Sequence, residues 1–378
     1  MAMLVRNPFT HDTRVEKEAR TLAAAGYRVT VVADGVAGLP DRESRDGIEV
    51  RRVARRGPPI PGLRFVVHEL RLARVLRALR ADVYHAHDSN ALIPVAWASR
   101  ARGVPFVYDA HDLWLGRPRR ERSRGYFALS QAFYTAVERW LVPRAAATLT
   151  VSEPIARHLE RRYRLERVHL VPNYPDLAGP VVAKDLRSLP GGAAIGEEPP
   201  LVLYLGGLMA GRGLEQLVDA IGLVQSVQLV LLGQGPLAND LKHRAAGLGA
   251  GDRVHVLAPV SPDQVIAYAA SADIGVSPIV PSCLNYRYSL PNKLFQYMAA
   301  GIPVVASDFP QVRAVVEGEA CGLLVDTERP PAIAAAIERI IAAPLEAEAM
   351  GDRGRRAVEA RYHWEAAGRM LREIYRQL

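Results

Sequence analysis

Short apolar runs alternate with longer amphipathic segments along the whole chain. In the first half, Ala2–Arg6, Arg28–Ala33, Val83–His85, Pro105–Asp109 and Ala147–Val151 read as buried strands. Between them, Arg14–Ala25 and Phe65–Leu79 carry apolar residues at helical spacing. The second half repeats the scheme, with strands expected at Leu201–Gly206, Val227–Gly233, Val254–Leu257, Ile274–Pro278 and Pro303–Ala306. This alternation predicts an α/β protein with two doubly wound parallel sheets, each covered by helices on both faces. The boundary is expected within Asp176–Pro200, where Pro, Gly and Ala replace the periodic pattern. The domains are therefore taken as 1–180 and 181–362.

The segment 285–308 carries the clearest chemistry. A Pro291-Asn292-Lys293 turn opens a helix that ends at Gly301, and the run Pro303–Ala306 follows. The first turn of such a helix offers free N–H groups and the positive end of a dipole, and Lys293 adds a charge. That describes an anion site, most simply for phosphate; the plain alternative is an αβ unit with a surface lysine. The glycine-rich stretch Tyr204–Leu214 contains Arg212, either a bidentate phosphate ligand or a solvated turn residue. Two similar clusters end strands of the first domain, His85-Ala86-His87-Asp88 and Asp109-Ala110-His111-Asp112. His85 and His87 share a strand face, so a metal-hydrolase site with Asp88 and Asp109 is one option. The remaining histidines form no second ligand cluster, and no metal is expected. His111 can handle a proton near a reacting hydroxyl, or merely pack in a helix-capping cluster. At Asn7–Val15 a strand passes into a helix; Asp12 or Thr13 caps that helix, or the junction meets substrate directly.

Composition narrows the setting. The 378 residues, 49% hydrophobic and 23% charged, suit two soluble domains. Two cysteines outside any CxxC pair read as free thiols in a reducing compartment. There is no signal-peptide core and no apolar run near the ~18 residues of a membrane span, so the expected place is cytoplasmic, free or peripheral to the inner face of the membrane. Residues 1–180 hold 30 Lys and Arg against 19 Asp and Glu, a balance of +11, whereas residues 181–378 hold 18 against 21, or −3. Nucleic-acid motifs are absent, so an anionic lipid or a phosphorylated acceptor fits the basic half better. An arginine-rich surface, 44 Arg against 4 Lys, is the bland alternative. Arg117, Arg119, Arg120, Arg122 and Arg124 crowd one loop just after His111.

Tyr297-Met298-Ala299-Ala300-Gly301-Ile302-Pro303-Val304-Val305-Ala306 resembles the nucleotide-sugar-binding segment of family-4 glycosyltransferases, which read Ala-Met-Ala-x-Gly-x-Pro-Val-Val-Ala there. Leu290-Pro291-Asn292-Lys293-Leu294-Phe295 looks like their polysaccharide, lipopolysaccharide and secondary-metabolite branch. The resemblance implies a GT-B fold: two Rossmann-like domains facing a cleft, and a last helix, 363–378, crossing back to the first domain. It implies a retaining, metal-independent transfer from a nucleoside diphosphate sugar, with no cofactor, to an acceptor hydroxyl. His111 would be the catalytic histidine. Arg212 and Lys293 would grip the donor diphosphate, while Gln296, Asn292, Tyr288 and Gly207 would lie at the ribose or sugar. Thr10, His11, Asp12, Arg14, Asp109, Arg117, Arg119 and Arg120 would face an anionic or lipid-linked acceptor. The chain departs from the family where Tyr288 and Gln296 replace two glutamates and Gly207 replaces an arginine. Those losses leave room for a GT-B epimerase or pseudo-glycosyl coupling enzyme, or for a nucleotide-sugar-binding protein without turnover.

Overall fold

The apolar runs pair as strands of two separate sheets. The structure, a computed structural model, describes residues 1–57, 60–113, 124–177 and 179–378. The first sheet comprises β1 (Ala2–Leu4), β2 (Thr30–Gly35), β3 (Arg42–Arg45), β4 (Ile48–Ala54), β5 (Tyr84–His87), β6 (Phe106–Ala110), β7 (Ala147–Thr150) and β8 (His169–Leu170). Its order is β3-β4-β2-β1-β5-β6-β7-β8, parallel throughout except for the β3–β4 hairpin. Asp46 and Gly47, both at positive φ, make the two-residue turn of that hairpin.

The second sheet, β11-β10-β9-β12-β13-β14, is all parallel. Its strands are β9 (Leu201–Leu205), β10 (Gln228–Leu232), β11 (Val254–Leu257), β12 (Ile274–Ser277), β13 (Val304–Ser307) and β14 (Gly322–Val325). β9, β10, β12 and β13 are buried along their whole length, which is why they read as unbroken apolar runs. Helix Asn292–Ala300 fills one core with Leu294, Phe295 and Met298, and helices Leu214–Leu223 and Pro330–Ile341 fill the other.

Two compact units result, Met1–Asn173 with Ala367–Leu378, and Tyr174–Ala366. Tyr174 opens the second because its ring packs edge-on against Phe295 and Tyr362, with centroids 4.8 and 5.5 Å away. The last helix, Trp364–Arg376, starts in the second unit and ends in the first, where the Tyr375 hydroxyl lies 2.7 Å from His85 Nδ1. In each sheet the strand order reverses beside the first strand, between β1 and β5 and between β9 and β12. In doubly wound folds ligands bind past the C-terminal ends of strands at such a point. No helix among the described residues is long and apolar enough to cross a membrane. Cys283 and Cys321 are free thiols.

Candidate functional site

In the first unit, β5 and β6 lie in register with His87 opposite Asp109. Arg14, near the start of helix Thr13–Ala24, closes a two-pronged pair on Asp109 at 2.9 and 2.8 Å and donates to the Val171 carbonyl at 2.6 Å. It also lies 3.1 Å from Glu18. Arg14 is 4% exposed and Asp109 0%. The sequence reading puts both on the acceptor side; in the structure they are buried and paired with each other. Such a pair is suited to holding its neighbours in place.

What they touch is His111. Its Nε2 lies 2.9 Å from Asp109 Oδ2 and 3.0 Å from His87 Nδ1, and its backbone N–H donates to Asp88 Oδ1 at 3.1 Å. Asp88 holds φ +64, a conformation that costs a non-glycine residue energy and aims its carboxylate back at His111. The His111 side chain is 19% exposed whereas those of His87 and Asp109 are 0%, so His111 is the member of the trio that meets solvent. Burial works against its charge, but Asp88 and Asp109 outweigh burial and raise its pKa to about 9. With its pKa raised this far, His111 is a cationic hydrogen-bond donor at pH 7. Burial would raise the Asp109 carboxyl, yet Arg14 and His111 hold it well below the usual range. Burial lowers His85 and His87, which stay neutral, and burial with Asp109 pushes Glu18 up to about 8.

Glu18, His85, His87 and Asp109 offer ligand atoms within 4.8 Å of one another. His85 Nε2 and His87 Nε2 make no hydrogen bond. A cation nevertheless fits poorly, because Arg14 already brings positive charge against both carboxylates. Asp12 is a cap: one oxygen accepts from Val15 N at 3.1 Å, the other from Asn7 Nδ2 at 2.7 Å. Thr10 is partly exposed and His11 exposed at the same junction. Arg117, Arg119, Arg120 and Arg122 lie outside the described residues, and Arg124 opens helix Arg124–Leu141.

In the second unit a glycine-rich loop leaves β9 and packs tightly on its neighbours. A Cβ on Gly213, which sits at φ +71, would fall 1.7 Å from the Pro278 carbonyl oxygen, so only glycine allows this approach. Behind that loop the Lys293 ammonium sits 3.5 Å above the Tyr204 ring centre, and the Arg212 guanidinium lies over Tyr286 at 5.0 Å. Among the described residues neither cation meets a carboxylate. Burial, and then Arg212, hold the Lys293 pKa well below the usual lysine range. Lys293 is the second residue of helix Asn292–Ala300, whose start has no side-chain cap. Asn292 is exposed at that start, and Gln296 follows one turn later on the same face. Tyr288 ends the short helix Leu284–Tyr288, and Gly207 lies in the loop after β9. Two basic side chains beside uncapped N–H groups suit a diphosphate, whose charge would favour the protonated form of Lys293. Sequence reasoning missed Tyr204, Tyr286, Glu18 and Tyr375 and considered His87 and Asp88 only for a metal site; period-two spacing with His85 was the available signal for His87.

Comparisons with known proteins agree with this division. Residues 12–178 match the model of Glycosyltransferase Family 4, and residues 199–343 that of Glycosyl transferases group 1. An alpha-D-kanosaminyltransferase of Streptomyces kanamyceticus is 27% identical over 325 residues, 81% of this chain and 79% of that one. Sucrose-phosphate synthase from Thermosynechococcus elongatus superposes with a TM-score of 0.78 at 23% identity, covering 100% of this chain and 98% of that one. Anabaena Alr3699/HepE in complex with UDP-glucose gives 0.72 at 15% identity, covering 100% and 99%. These likenesses identify the fold as GT-B.

Proposed function

The chain is a glycosyltransferase of the GT-B type, and from that premise we propose that it moves a sugar from a nucleoside diphosphate donor to an acceptor hydroxyl with retention and without a metal. The observation that carries this is the pair of basic side chains in the second unit, Lys293 and Arg212, held on tyrosine rings and, among the described residues, clear of carboxylates. They and the start of helix Asn292–Ala300 would bind the diphosphate and stabilise the charge it gains as it leaves. The bond from the anomeric carbon to the diphosphate breaks while a bond to the acceptor oxygen forms on the same face, and the acceptor proton passes to the leaving phosphate. Cationic His111, fixed by Asp88 and Asp109, donates a hydrogen bond to the reacting sugar. Gln296 contacts ribose as a neutral partner, weaker than the carboxylate it replaces, with Asn292 beside it.

HepE, similar in fold, was solved with UDP-glucose, which makes a uridine nucleotide the first donor to try. We assign the acceptor, anionic or lipid-linked, to the first unit. Arg117, Arg119 and Arg120 join that assignment on sequence grounds alone.

Titration calorimetry with UDP, GDP and the parent nucleosides tests the donor site. Lys293→Ala and Arg212→Ala should each weaken diphosphate binding by about 1.5–3 kcal/mol while changing nucleoside binding far less. Unaltered diphosphate affinity in both variants would place the site elsewhere. Activity abolished by a chelator and restored by zinc would overturn metal independence.

A further inference from the structure

Helix Arg124–Leu141 is turned inside out. Its acid, Glu138, is buried and accepts hydrogen bonds from Ser89, Tyr108 and Tyr163. Its outer face is apolar instead: Leu129 is 71% exposed, Phe133 41% and Trp140 61%. The exposed alanines 132 and 136 join these at three- and four-residue steps, which makes one continuous stripe. Phe133 meets Phe65 of helix Pro61–Ala78 edge-on with centroids 5.9 Å apart, and that helix exposes Leu63 and Val66. Helix Leu92–Arg102 packs against both.

The charges on these three helices point to the occupant. Their acids are Glu69 and Glu138, 6% and 3% exposed. The charges they expose among the described side chains are all arginine, at 64, 74, 77, 100, 102 and 139. Arg144 then lies over the Trp140 ring at 4.7 Å. A second copy of the chain would suit the apolar stripe but would set arginine against arginine. An anionic interface satisfies both features, taking apolar and tryptophan side chains at the acyl boundary and arginines among the headgroups. We propose that this face of the first unit docks on an anionic lipid surface. This deepens the assignment of the acceptor to the first unit and rests on it for its purpose. Vesicle binding needs neither donor nor acceptor, so the two fail separately.

The full chain is sedimented with vesicles of phosphatidylcholine alone and of phosphatidylcholine with phosphatidylglycerol, at low and high salt. It should bind the anionic vesicles and release them as salt rises. Leu129→Glu with Trp140→Glu should lower the partition by roughly tenfold or more. Arg64→Gln with Arg139→Gln should lower it less, and only at low salt. Both residue pairs are exposed, so melting temperature and UDP affinity should stay at wild-type values and show that the variants fold. Absent binding, equal binding by the apolar double variant, or a solution dimer that this variant dissolves would each overturn the proposal.

Discussion

The two units use cations in opposite ways. Arg14 in the first is buried and bound on every side, by Asp109, Glu18 and the Val171 carbonyl. Lys293 and Arg212 in the second lean on tyrosine rings with no acid beside them among the described residues. A ring face stabilises a cation without neutralising it, whereas a buried carboxylate neutralises it and fixes its geometry. The difference separates residues that build a site from residues that bind in it. It also explains why similar arginine-and-lysine signals in the sequence lead to different roles.

The largest effect should come from breaking the buried pair. Arg14→Ala removes the two-pronged partner of buried Asp109 and leaves its charge only the histidines beside it; breaking a buried pair typically costs about 3–5 kcal/mol. Chemical denaturation should register that loss; a cost below about 1 kcal/mol, as for an exposed pair, would remove the contrast.

Next comes His111, the group the first cluster supports. His111→Gln should reduce turnover by roughly 10²–10⁴ while donor affinity stays near wild type. Its raised pKa also has a consequence for folding. The folded chain holds this proton more tightly than the unfolded chain, whose value is near 6.5. The resulting stability is complete below about 6.5 and disappears as pH climbs through about 9. Wild type should therefore lose stability across that window relative to His111→Gln, measured by denaturation at a series of pH values. Parallel curves would mean that Asp88 and Asp109 do not hold the ring as a cation.

A smaller signal should appear on the other side of the comparison. Lys293 binds its proton weakly in the free protein, and a diphosphate beside it would tighten that binding. Nucleotide binding should then take up a fraction of a proton, and affinity should fall as pH rises. Titrations in Hepes and Tris, which differ in ionisation enthalpy, measure the uptake. The part due to Lys293 is what disappears in Lys293→Ala.

Much of the frame was legible from the chain. Unbroken apolar runs such as Leu201–Leu205 and Val304–Ser307 sit in the middle of a parallel sheet, where both faces demand apolar side chains. The β3–β4 hairpin escaped because Arg42–Arg45 and the arginines of β4 hide the alternation at a sheet edge, although Asp46-Gly47 carried its turn signal. Lys293 and Arg212 were legible because local turn chemistry places them. The Arg14–Asp109 pair was not, since it joins residues 95 apart through tertiary packing that no local pattern encodes. Asp12 offered two readings, and only the paired oxygens decide for the cap.

The most direct test measures stability and UDP affinity together in Lys293→Met and Arg14→Met. If the account holds, Lys293→Met folds as stably as wild type and loses roughly tenfold or more in UDP affinity. Arg14→Met loses stability while its folded fraction still binds UDP. A Lys293→Met variant that binds UDP like wild type, or an Arg14→Met variant as stable as wild type, would contradict it.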